Sequence, residues 1–152
     1  MGEQENIQMV KQCYEAFLSG DLDKLLKLMS HDIDWDLPEI EGIPFSGKRH
    51  GRDAVAEFLR IEGAAQEGRG FTINEFTAQD ERVVVTGHYE WNVKATGAQF
   101  GCDWCHIFHI ANGEITKFTE FTDTYQAALA YQLPAVAVQG SARPDAGRTG
   151  AH

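Results

Sequence analysis

No apolar run in this 152-residue chain approaches the roughly 20 residues that a membrane-crossing helix needs. Basic side chains are scarce as well: 13 Lys and Arg face 23 Asp and Glu, for a formal net charge of -10. Nucleic acid and anionic membranes are held chiefly by basic surfaces, so neither is expected as a partner. The first residues, Met-Gly-Glu-Gln-Glu-Asn, carry no basic-then-apolar leader. A cytoplasmic protein with reduced thiols is therefore expected. Cysteine is rare, and two of the three residues fall in Cys102-Asp103-Trp104-Cys105-His106, the spacing of a haem-attachment pattern. Haem attachment needs an export route, and no export signal is visible. Strand-like alternation sends Cys102 and Cys105 to opposite faces, and no second Cys pair completes a zinc set. No metal and no cofactor is expected, and the thiols read as buried and inert.

The composition, 43% hydrophobic and 24% charged, is that of a globular protein, and the length suits one domain with its own core. Over residues 4–19, Ile7, Val10, Tyr14, Phe17 and Leu18 recur at helical spacing. Gly20 suits the left-handed end of that helix, and Asp21 the cap of a second with the stripe Leu22, Leu25, Leu26 and Met29. Ile33, Trp35 and Leu37 alternate with Asp32, Asp34 and Asp36, which predicts a half-buried strand stopped by Pro38. Residues 38–51 hold two prolines and three glycines and are expected to form a loop over a binding site. A third helix is expected from Arg52, with Val55, Phe58 and Leu59 pointing inward, fading over residues 63–68. Strands are expected over 71–77 and 82–93, a hairpin over 100–123 and a short helix over 125–132. One domain over 1–133 is thus expected, followed by a mobile tail over 134–152.

The hairpin holds the residues of chemical interest. Asn112-Gly113 tolerates the positive φ angles of a tight turn between two β-rich runs. Phe100, Cys102, Trp104, His106, Phe108 and Ile110 share one face, on which His106 is the lone titratable group among apolar residues. The second run ends in Asp123, and an acid is rarely buried without a partner or a task. The order helix, helix, strand, helix and then four strands indicates an α+β fold. Its helices pack into a bent antiparallel meander, a cone whose mouth suits a small apolar molecule.

Tyr14 to Leu25, His31 to Pro38, Gly51 to Phe58 and Asn112-Gly-Glu-Ile to Phe121-Thr-Asp-Thr124 occur in the order seen in one family. Across residues 5–130 the chain resembles the SnoaL-like branch of the ketosteroid-isomerase-like, or nuclear-transport-factor-two-like, superfamily. The resemblance implies the cystatin-like α+β barrel, a cone-shaped sheet wrapped around N-terminal helices, and a homodimer. It does not imply one reaction, since such folds host cyclases, isomerases, hydrolases and binding modules. The isomerase base would stand directly before the proline, where this chain has Leu37. The isomerase Tyr would fall at Cys13, with Tyr14 turned by about 100° from it. An epoxide-hydrolase relay would need an Arg between Asp103 and Asp123, and residues 83–142 contain none.

The cyclase pattern matches better, and it implies Asp123 as acid/base with His106 on the preceding strand. An apolar wall would raise a carboxyl pKa toward neutrality, which suits proton transfer. The expected enzyme therefore performs cofactor-free cyclase or isomerase chemistry on a hydrophobic carbonyl compound. Tyr14, Phe17, Trp35, Phe58, Trp104 and Glu120 are expected to line its substrate site. Glu120 and Asp123 alternate oppositely unless a bulge intervenes, so only one of them faces the pocket. Asp123 has a competing use as the cap of the last helix. The alternatives are a binding module without chemistry and a dimer packed through Thr86, His88, Glu90 and Asn92.

Overall fold

The computed structural model describes residues 2–132, so the expected tail over 134–152 lies outside the described residues. The elements run α1 (Glu3–Ser19), α2 (Leu22–Lys27), β1 (Met29–Asp36), β2 (Lys48–His50), α3 (Arg52–Ala65), β3 (Gln66–Gln79), β4 (Arg82–Val93), β5 (Gln99–Ala111), β6 (Glu114–Thr122) and α4 (Thr124–Gln132). Gly20 closes α1 at φ 78°, a left-handed conformation that an L side chain rarely adopts. Asp21 starts α2 by accepting the Lys24 backbone N–H at 3.1 Å.

The six strands form one curved, unclosed sheet in the order β2-β1-β6-β5-β4-β3. Its α+β class is the expected one. The pairs β3–β4, β4–β5 and β5–β6 make the antiparallel meander, but β1 lies parallel to β6. This parallel pair departs from the all-antiparallel sheet expected from the sequence. It arises because α3 and the meander carry the chain across the sheet before β6 returns beside β1. Register shifts interrupt β1–β6, β3–β4 and β5–β6, and such irregularities bend a sheet.

Alternation decides which face is buried. On β4, Val83, Val85, Tyr89, Trp91 and Val93 point inward, and on β5 so do Phe100, Cys102, Trp104, His106, Phe108 and Ile110. α1 and α3 cover this concave face with Val10, Cys13, Tyr14, Val55, Phe58 and Leu59. Two boundaries differ from expectation. Gln66–Gly70 belongs to β3 rather than to a fading helix, because it pairs with β4 from Gln66↔Val93 onward. Lys48–His50 pairs with Asp34–Asp36 as a short edge strand inside the expected loop. The rest of that loop packs Ile43 and Phe45 into the core. Among the described residues, no helix is long and apolar enough to cross a membrane.

Candidate active site

His106 sits midway along β5, directly opposite Glu120 of β6. Strand pairing therefore puts imidazole and carboxylate side by side on the concave face, with Nε2 of His106 2.8 Å from Oε1 of Glu120. From above, α1 lowers Tyr14 onto the same ring, its hydroxyl 2.7 Å from Nδ1. The Tyr14 hydroxyl has no other partner among the described hydrogen bonds, so it donates to Nδ1. Nε2 then carries the ring proton and donates it to Glu120. The result is a buried phenol–imidazole–carboxylate chain.

Glu120 faces inward because β6 is irregular. Between His109↔Lys117 and Ile110↔Ile115, β5 advances one residue and β6 two, which leaves Thr116 unpaired. Ile115 and Phe118 consequently both point into the core, and Glu120 follows Phe118 at strand spacing. The second carboxylate oxygen is approached by Tyr89, at 3.4 Å. The single hydroxyl hydrogen of Tyr89 is better placed on Thr122 Oγ1 at 3.0 Å, which in turn donates to the Asp103 carbonyl. Oε2 of Glu120 is thus left open to a further donor.

These groups line a cavity of about 60 Å³ whose walls are mainly Phe17, Leu25, Trp35, Phe58, Phe71 and Phe108. Glu62 of α3 faces it as well, and burial with the nearby Glu120 charge pushes its carboxyl up to about 8. Burial first, and then the neighbouring Cys13, Glu120 and Cys105, holds Tyr14 far above the ordinary phenol range, so it remains a donor. Burial alone pushes the Cys13 thiol up to about 12, which leaves no thiolate nucleophile there near neutrality. A smaller cavity of about 30 Å³ lies beneath the Pro38–Ser46 segment and α4. It shares the wall residues Leu37, Glu62, Tyr89, Trp91 and Glu120 with the first.

The SnoaL-like domain family matches residues 10–118. The chain belongs to that family. A solved NTF2-like protein from Burkholderia xenovorans LB400 is 33% identical, covering 87% of this chain and 99% of its own, with a TM-score of 0.79. TerC, co-crystallized with polyporic acid, is 26% identical over 84% of this chain and 98% of its own, at a TM-score of 0.75. A provisionally named polyketide cyclase from Xanthomonas campestris pv. campestris is 22% identical over 86% of this chain and 98% of its own, at a TM-score of 0.70. That last likeness shows the fold alone. Comparison with curated proteins finds no match.

Within this SnoaL-like chain the expected site residues separate into three groups. Tyr14, Phe17, Trp35, Phe58, His106 and Glu120 all line the larger cavity. Trp104 does not line it. It lies buried behind the imidazole, stacked on His106 with ring centroids 4.1 Å apart. Asp123 is the correction, because it is exposed and its Oδ1 accepts the Gln126 backbone N–H at 3.2 Å as the cap of α4. β6 ends at Thr122, so the chain has already turned away when it reaches Asp123. The expected His106–Asp123 pair is therefore not formed, and Glu120 stands beside the imidazole instead. Glu62 and Tyr89 were not anticipated as site residues. Glu62 was detectable in principle, four residues beyond inward-facing Phe58 on the same helix face.

Proposed function

We propose that the chain catalyses cofactor-independent acid/base chemistry, of the cyclase or isomerase kind, on a small hydrophobic carbonyl compound. One observation carries this reading: a histidine bridges a phenol and a carboxylate, at 2.7 and 2.8 Å, on the wall of an apolar cavity. Such a wall excludes water and makes proton transfer between fixed partners effective. Glu120 acts as the base through its open oxygen, and the His106 N–H on the other oxygen orients it. Asp123 has no part. The polyporic acid held by TerC supports a small-molecule occupant.

The two cavities, of about 60 and 30 Å³, are much smaller than the roughly 300–1,000 Å³ of a drug-sized ligand site. The fitting substrate is accordingly a compact molecule, and a polyketide-sized one enters only if the Pro38–Ser46 segment gives way. A binding module of the same fold is the second reading. It is favoured by the engagement of both His106 ring nitrogens within the protein. Exchange of the α-hydrogens of 1-indanone, 2-tetralone and cyclohexanone in D2O separates the two. Catalysis predicts exchange above the buffer rate that falls about 100-fold or more in Glu120→Gln. Ketone binding with exchange at the buffer rate across the panel would leave only the binding module.

A further inference from the structure

The Tyr14–His106–Glu120 chain supplies a base but leaves the acid unnamed. Glu62 stands on the wall that both cavities share, with Glu120 on the same wall. Among the described hydrogen bonds none uses its side chain, although its neighbours Tyr89, Tyr131 and Gln66 all have partners. Trp35 also lines the larger cavity, and its ring packs on Phe58 at 5.5 Å between centroids. Phe58 lies one helical turn before Glu62, so Trp35 and Glu62 flank the same stretch of wall.

We propose that Glu62 is the neutral acid of this site, giving its proton to a carbonyl oxygen of the substrate while Glu120 removes a hydrogen from the adjacent carbon. This proposal rests on the acid/base reading of the cavity for its catalytic half. The substrate C–H bond breaks as its proton passes to Oε2 of Glu120. The electron pair left behind becomes a C=C bond, and the carbonyl π pair moves to oxygen. That oxygen takes the proton of Glu62, so an enol forms, Glu62 becomes a carboxylate and Glu120 becomes neutral. In a β,γ-unsaturated carbonyl compound, Glu120 delivers its proton to the γ-carbon while the enol O–H returns its proton to Glu62 and C=O reforms, which completes an isomerisation. In a ring closure the enol carbon attacks a second carbonyl, whose oxygen takes the Glu120 proton as the enol O–H reprotonates Glu62.

The groups facing Glu62 favour this division of labour. Glu120 of β6 brings a like charge, Tyr89 of β4 and Tyr131 of α4 are phenols held above their ordinary range by burial, and His106 of β5 is engaged with Glu120. Among the described residues, no Lys or Arg lines either cavity. Lys94 reaches the helix nearby, but it bonds the Gly63 carbonyl from outside. Burial and the neighbouring Glu120 favour the protonated form of Glu62, whose side chain has no donor among the described hydrogen bonds.

The test titrates 1-indanone and its carbonyl-free analogue indane into the full chain, followed by quenching of tryptophan emission. Wild type is expected to hold indanone about tenfold more tightly than Glu62→Leu at pH 6, with indane bound equally by both. The wild-type advantage should fade as pH rises past 8, where Glu62 loses its proton. Glu62→Gln, which keeps a donor, should hold indanone at every pH yet exchange its α-hydrogens about 100-fold more slowly. Equal indanone affinity in wild type and Glu62→Leu, or no preference of wild type for indanone over indane, overturns the proposal. Indanone affinity that tracks Glu62 without exchange in wild type keeps Glu62 as the oxygen-binding donor and ends the catalytic half.

Discussion

At the scale of single residues, the two carboxyls nearest the end of β6 illustrate how little residue type reveals about role. Asp123 is exposed and caps α4, so Asp123→Asn, which preserves a cap, is expected to leave both ketone exchange and melting temperature close to wild type. Asp123→Ala should cost about 1 kcal/mol in denaturant unfolding without loss of exchange. Loss of exchange in the Asn variant would return the acid/base role to Asp123. Glu62 makes a pH prediction of its own. Its folded pKa of about 8 lies above the ordinary 4.5, so in this window the folded chain keeps a proton that the unfolded chain has released. The contribution of this group to stability is therefore best below about pH 4.5, falls as pH rises toward 8, and levels beyond. Thermal melting between pH 5 and 9 should show that slope in wild type and a flatter one in Glu62→Gln. Tyr14→Phe should leave Nδ1 of His106 buried without its donor, a cost of roughly 1–3 kcal/mol measured by chemical denaturation.

At the scale of elements, the site depends on what the strands place behind it. Gly87 of β4 pairs with Trp104, and a Cβ at Gly87 would overlap both the Trp104 ring and the Thr72 carbonyl oxygen. Gly87 is thus required for close approach between strands rather than for a turn. Gly87→Ala is expected to cost about 3 kcal/mol, because neither the sheet backbone nor the indole has room to yield. Since Trp104 stacks on His106, the same change should shift the imidazole resonances in NMR spectra, whereas a substitution at exposed His50 should not. The unpaired Thr116 matters in the same way. Were β6 regular, Ile115 and Glu120 would point to opposite faces, and either the core or the site would be lost.

At the scale of the whole molecule, the Pro38–Ser46 segment and α4 close the mouth of the sheet over two small cavities that share one wall. Leu37 belongs to that wall. Leu37→Ala should join the cavities, lower stability by roughly 2–5 kcal/mol and raise the affinity for 2-tetralone relative to 1-indanone. Unchanged relative affinity would show that the wall does not limit ligand size. The homodimer expected from the family resemblance is a proposal that sedimentation tests. Phe121, 56% exposed on the outer face, is the residue whose change to Asp should shift the chain toward monomer.

Sequence alone determined the elements and their faces wherever a period was long and clean. Alternation on β4 and β5, the Gly20–Asp21 break and the inward position of His106 all depend on local backbone geometry, which each stretch of chain specifies for itself. The quoted motifs, spanning most of the chain, identified the family. Only the tertiary structure decided that β1 lies parallel to β6, that Gln66–Gly70 is strand, and that Glu120 rather than Asp123 meets the imidazole. Each of these depends on which strand lies alongside and in what register. A single unpaired residue reverses the facing of the strand end beyond it, and nothing in the composition of Glu114–Thr122 marks where that residue falls.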